Sequence, residues 1–139
     1  MCALPGFSKL FAGEPPTNIG IKHGKLATCP DTPNCVVSQD ADAKHKIEPL
    51  AYGGEPAVAI ANIKTIIQAM ERSKIIEESE NYLYAEFSSN LMGFVDDVEF
   101  YLIPQEQIIH VRAAARLGKS DLGVNRKRIE SIRAKLAEL

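Results

Sequence analysis

At 139 residues the chain has the length of one domain, enough to bury roughly two-thirds of the surface its unfolded form exposes. With 45% hydrophobic and 24% charged residues it is neither disordered nor fibrous, and a net charge of −2 gives the whole molecule no pull toward nucleic acid or an acidic membrane. No apolar run approaches the roughly 18–20 residues that span a bilayer.

The N-terminal residues Met1 to Phe7 lack a basic start and a long apolar stretch, so the location expected is cytoplasmic. The segment Phe7–Phe11 offers two aromatic residues that suit a peripheral membrane or partner contact, although such pieces more often pack on their own domain. Seven of the eight prolines fall at or before Pro56. Proline fixes φ and removes a donor, so this stretch reads as turns. Residues 1–28 are expected to form an irregular arm and residues 29–139 a single domain.

Past Gly53 and Gly54 the pattern changes. Pro56 suits the first position of a helix, and Ile60, Ile63, Ile67 and Met70 recur at helical spacing to about Arg72. Lys74 to Glu77 is a marginal strand. Three clearer strands follow: Leu83, Ala85 and Phe87 alternate with Tyr82, Tyr84 and Glu86; Val98, Phe100 and Leu102 with Asp97, Glu99 and Tyr101; Ile109, Val111 and Ala113 with His110, Arg112 and Ala114. A last helix begins near Asn125, a good capping residue, and carries Ile129, Ile132, Leu136 and Leu139 along one side. The fold class expected is α+β: an antiparallel sheet of about four strands with two helices packed on one face.

A two-residue turn at Gln105 and Glu106 sets a register. Leu102, Phe100 and Val98 then face Ile109, Val111 and Ala113. On the other side Tyr101 faces His110, Glu99 faces Arg112, and Arg116 comes diagonally near Asp97. Opposite charges across a ladder favour this pairing, and a structural salt bridge accounts for Glu99 and Arg112. Tyr82, Tyr84, Tyr101 and His110 would line the second face, where Glu86, Asp97 and Glu99 repel nucleic acid; a protein surface, a small ligand or cover by the arm fits better.

Cys29 and Cys35 bracket a loop stiffened by Pro30 and Pro33. The spacing suits a disulfide or buried thiols, and a cytoplasmic location favours thiols. A thiol redox switch is the alternative. Metal ligation lacks a second Cys/His pair, and neither metal nor cofactor is expected. Gly118-Lys119-Ser120 mimics the end of a phosphate loop, but the glycine needed five residues earlier is Ala113, within a strand. Adjacent Asp96 and Asp97 must point to opposite faces, which argues against a shared acid–base site, and Asp96, turned inward, needs a basic partner from the Arg116 to Arg128 stretch. In that stretch Lys119, Arg126 and Arg128 stand near a helix start, with Asp121 and Asn125 beside them. Two readings follow: a site for a small anion, or a polar latch in which the aspartates neutralise the arginines.

Several motifs together resemble one family. Residues 29–39 (CPDTPNCVVSQ), 47–52 (IEPLAY), 94–100 (FVDDVEF), 111–126 (VRAAARLGKSDLGVNR) and 128–130 (RIE) are similar to the family catalogued as domain of unknown function 1499. The resemblance covers about residues 29 to 139, and the arm before Cys29 resembles the cyanobacterial type. Ala113 to Ala115 depart from the family, which often has a serine there. The resemblance implies no activity, substrate or catalytic residue.

The function expected is a non-catalytic module binding a small anion, a lipid headgroup or a protein partner. Its site would gather Asp96, Asp97, Arg112, Arg116, Lys119, Asp121, Asn125 and Arg126 beside the Cys29–Cys35 loop. The alternatives are an enzyme using Asp96 or Asp97 near Arg116 and Arg126, and a redox sensor through Cys29 and Cys35.

Overall fold

The computed structural model describes residues 13–89, 93–118 and 121–139. Lys119 and the Phe7–Phe11 segment lie outside the described residues.

Helix α1 runs Pro56–Ala69, with Pro56 in its first turn and Ala59, Ile60, Ile63, Ile66 and Ile67 buried. It stops at Met70 rather than Arg72. There the Ser73 hydroxyl reaches the Ile67 and Met70 carbonyls at 2.7 and 3.0 Å, satisfying groups the helix end leaves open. Arg72, at φ +56°, turns the chain.

Four strands follow as an antiparallel meander, numbered after two short strands earlier in the chain: β3 (Ser73–Glu78), β4 (Tyr82–Ser88), β5 (Val95–Ile103) and β6 (Ile108–Ala115). The sheet has six strands, not about four. β1 (Cys35–Val37) and β2 (Leu50–Ala51) both pair with β6, in the order β1-β6-β5-β4-β3 with β2 beside β6. They occupy an edge of β6 that would otherwise be unpaired, and at three and two residues they are too short for alternation to show. The β5–β6 register matches the expected pairing, with Leu102 opposite Ile109, Glu99 opposite Arg112 and Val98 opposite Ala113. The connection itself differs. Pro104–Glu106 forms a 3-10 turn closed by Gln107 at φ +54°.

Helix α2 spans Val124–Ala137 and buries Ile129, Ile132 and Leu136. Both helices cover one sheet face around a core that includes Phe100, Leu83, Val98 and Ile109. The other face is covered too. Tyr82 and Tyr84 are buried there against Leu26, with Ile19, Ile21 and Tyr101 packed around them. Of the alternatives for the tyrosine face, cover by the chain preceding Cys29 is the one found.

Cys29 and Cys35 are joined in a disulfide, S–S 2.05 Å and Cα–Cα 5.7 Å, so of the two states the spacing suits, the disulfide is present and not the buried thiols that a cytoplasmic location favours. The two residues stand six apart in sequence, and closing so short a loop stabilises the fold by about 2 kcal/mol in a chain-entropy account. Replacing both cysteines with serine should lower the unfolding free energy by about that amount in a urea titration. A dithiol should do the same to the native protein and nothing further to the variant.

Candidate functional site

Asp96 and Asp97 lie near the start of β5, and their side chains leave the sheet on opposite faces. On the tyrosine face, Asp97 Oδ1 accepts the Tyr84 hydroxyl at 2.6 Å and Arg116 Nη2 at 2.6 Å, while Arg116 Nε donates to Oδ2 at 3.1 Å. Arg116 Nη2 also reaches Glu86 at 2.9 Å. The bond to Asp97 holds the Arg116 guanidinium further in its charged form. For Tyr84, burial first and then the neighbouring carboxylate push the phenol up. Asp97 is 2% exposed, so the Arg116 guanidinium and the Tyr84 hydroxyl stand where water otherwise would.

Two residues along the same face, Glu99 is fully buried. Its Oε2 accepts the Tyr82 hydroxyl at 2.6 Å and the Gly20 amide at 2.8 Å. Arg112 stands opposite as the register requires, but its Nη1 is 4.0 Å from Glu99 Oε1. Burial pushes the Glu99 carboxyl up and the Arg112 guanidinium down.

On the helix face, Asp96 receives Arg128 Nη1 at 2.8 Å, the inward basic partner expected for it. Arg128 also bonds Asn125 Oδ1 at 2.7 Å and lies 4.6 Å from the centroid of the Phe87 ring. Burial pushes the Asp96 carboxyl up, and Arg128 opposes that shift. Asn125 is not the cap of α2. Gly123, at φ +80°, precedes the first helical residue. Asp121 supplies the acceptors there, taking the Gly123 amide at 2.9 Å, the Asn125 amide at 3.1 Å and the Asn125 side chain at 2.9 Å. The helix start is thus already served by a carboxylate of the chain itself, which removes the simplest anion site.

Arg126 leaves the group. It donates to the Lys46 and Lys44 carbonyls at 2.8 and 3.3 Å and meets neither aspartate. The disulfide loop does join the cluster: Asn34 Nδ2 donates to the Gly118 carbonyl at 2.7 Å, and the Asn34 carbonyl accepts Ala115 N at 2.9 Å. The expected site residues therefore gather at one end of the sheet but divide between its faces. Asp97, Arg112 and Arg116 lie on one; Asp96, Asp121 and Asn125 lie on the other.

A family model described as a protein of unknown function, DUF1499, matches residues 25–136. The chain belongs to the DUF1499 family. No curated protein matches it.

Each face of this DUF1499 chain carries a cleft beside the charged cluster. The helix-side cleft, about 400 Å³, is bounded by Arg72, Ser88, Phe94, Asp96, Leu117, Asp121, Val124 and Arg128. A neighbouring hollow of about 400 Å³ shares Arg72, Ser88 and Arg128 with it and adds Lys135. On the tyrosine face a cleft of about 390 Å³ lies among Asn18, Thr28, Cys29, Asp97, Arg112 and Arg116. Arg72 and Lys135 lie outside the quoted motifs, and Phe94 and Leu117 lie within two of them without being candidate site residues; the folded chain reveals all four as walls. Among the described residues no group of three or more His, Cys, Asp or Glu is placed to hold a metal. No helix among them is long and apolar enough to cross a membrane.

Arg116→Met should leave Asp97 buried without its counter-charge and cost about 3–5 kcal/mol in urea unfolding at neutral pH. Adding Asp97→Asn should recover most of that loss. A deficit under about 1 kcal/mol for the single variant would reduce the pair to a surface contact.

Proposed function

We propose that this DUF1499 protein is a non-catalytic binding module whose ligand is an amphiphile with an anionic head. The observation that carries the reading is the clustering of exposed apolar side chains around the helix-side cleft. Phe94, Leu117 and Val124, each 41–42% exposed, form its walls. Contiguous apolar surface of this kind marks a binding site more often than chance exposure, and the volume is in the range of small-molecule pockets.

The polar part argues for the head group. Asp96 and Arg128 neutralise each other, and Asp121 is occupied at the helix start. Among the described residues Lys135 has only the Ser131 hydroxyl, at 2.9 Å. Arg72 Nε donates to the Ser88 carbonyl at 3.3 Å, and its Nη1 faces an exposed Glu71 at 3.8 Å. The margin of the adjoining hollow therefore keeps donors for a carboxylate or phosphate, while an acyl chain lies against Phe94, Leu117 and Val124.

A second reading, an enzyme, draws on Asp96, because burial raises its carboxyl as an acid–base group would need. Its bond to Arg128 works against that role, since a carboxylate held by an arginine surrenders its charge less readily. A sensor using both cysteines draws little support, because Cys35 is 1% exposed. The disulfide fits an oxidising compartment better than the cytoplasm.

Dodecanoate and dodecanol, titrated into the native protein and followed by amide chemical shifts, test the proposal. Dodecanoate should bind with shifts at Leu117 and Val124. The Arg72→Ala, Lys135→Ala double variant should weaken it about tenfold or more, as expected for loss of charge-assisted bonds. Equal affinity for the alcohol, or no shift with either compound, would sink it. Chemical change of an added amphiphile would favour the enzyme.

A further inference from the structure

The cleft on the tyrosine face plays no part in that reading, and it holds a buried arginine with a donor left unsatisfied. Arg112, from the middle of β6, is 4% exposed. Its Nη2 donates to the Thr28 carbonyl at 3.1 Å. Its Nε has no partner, and its Nη1 approaches only Glu99 Oε1, at 4.0 Å, beyond hydrogen-bond reach. The contrast with Arg116 is direct. That side chain, similarly buried, makes three bonds of 2.6 to 3.1 Å to Asp97 and Glu86.

Glu99 does not close the gap. The Tyr82 hydroxyl and the Gly20 amide hold its Oε2, fixing the carboxylate away from the guanidinium, and its Oε1 is itself without a partner. Burial pushes the Glu99 carboxyl up, which further weakens it as a counter-charge. Asp97 is taken by Arg116 and Tyr84. A buried cation with unmade donors is a costly arrangement unless something else supplies acceptors.

We propose that this second cleft binds a small oxyanion, a carboxylate or phosphate group, anchored by Arg112. The guanidinium presents a planar fork of donors that matches two oxygens of such a group. Arg116, already saturated by its own carboxylates, shapes the wall. The small side chain of Ala114 leaves room beside Arg112, and Thr28, Cys29 and the acidic Glu14 share the lining. Because Cys29 is bonded to Cys35, the carbonyl of Thr28 that holds Arg112 Nη2 is tethered next to a covalent link. The anchor is thereby held in place before any ligand arrives.

The competing occupant is one buried water bridging Glu99 Oε1 and Arg112 Nε. A titration of the full chain, labelled with nitrogen-15, separates the two. Inorganic phosphate and, separately, acetate would be added at constant pH and ionic strength against a chloride control, while the Arg112 Nε–H signal is followed. The proposal expects a saturable shift with at least one oxyanion and none with chloride. Glu99→Gln removes the nearby carboxylate and should tighten the binding. Arg112→Lys keeps the charge but loses the fork, and should weaken it about tenfold, the value of one charge-assisted bond. If that variant does not fold, the Glu99→Gln comparison decides alone. A linear or absent response in both the native protein and Glu99→Gln would leave only the water and overturn the proposal. So would a phosphate response confined to Leu117 and Val124. Either failure leaves dodecanoate binding on the helix side untouched, because the two probes report from opposite faces of the sheet.

Discussion

The structure turns on the alignment of β5 against β6. With Phe100 opposite Val111 and Glu99 opposite Arg112, the core residues Val98, Phe100, Leu102, Ile109, Val111 and Ala113 face the helices, and Asp97, Glu99 and Arg112 face away. A slip of one residue would turn one strand over against the other, placing either Glu99 or Arg112 under the helices and its apolar neighbours on the other side. Such an error would bury charge in an apolar layer, so the register is strongly specified. It also decides the chemistry at the end of the sheet. Because Asp96 and Asp97 are consecutive in a regular strand, one alignment sends them to different sides, and no shared carboxylate pair can form.

From that division follows the economy of the arginines. On the tyrosine face Arg116 neutralises Asp97 and Glu86; on the helix face Arg128 neutralises Asp96. Arg126 and Arg133 bond to backbone carbonyls between Lys44 and Pro49, pinning the proline-rich stretch onto α2. The basic C-terminal part is therefore not an open electrostatic surface. Lys135 apart, which keeps the Ser131 hydroxyl, its arginines are largely spent inside the fold: Arg128 on Asp96, as the latch reading has it, but Arg126 on backbone carbonyls instead of an aspartate. Arg112 is the exception, and its position opposite a carboxylate that is held elsewhere explains why.

How much could be read from residues alone depended on the range of each interaction. The β5–β6 alignment was legible because alternation over eight or nine residues, joined by a short turn, leaves few registers. The partner of Asp96 was legible by elimination, since a buried carboxylate needs a base and few were in reach. β1 and β2 were not, being too short to show a period. The start of α2 was legible to within a residue, but its cap was not: Asn125 is a good cap by type, whereas Asp121 does the capping through a turn whose geometry no pattern reveals. Cover of the tyrosine face by Ile19, Ile21 and Leu26 was open to inference, for these apolar residues sit among prolines and glycines with no other core to join. The state of Cys29 and Cys35 rested on an assumed compartment rather than on the loop, and the loop geometry went the other way.

The alanines of β6 explain why two clefts exist at all. Ala115, opposite Asp96, borders both, and Ala114, opposite Asp97, borders the one on the tyrosine face. Larger side chains at these positions would grow toward Asp96 on one face and toward Arg112 on the other, filling the space beside each charged group. With alanine, the end of the sheet is thin, and the charged residues on either face stand next to open volume instead of close-packed side chains. Filling these hollows would bring the apolar contacts that well-packed cores gain, so the small residues leave stabilisation unrealised. Both proposed sites rest on that pattern: a sheet specified tightly by its central pairs, and left underpacked where its two aspartates emerge.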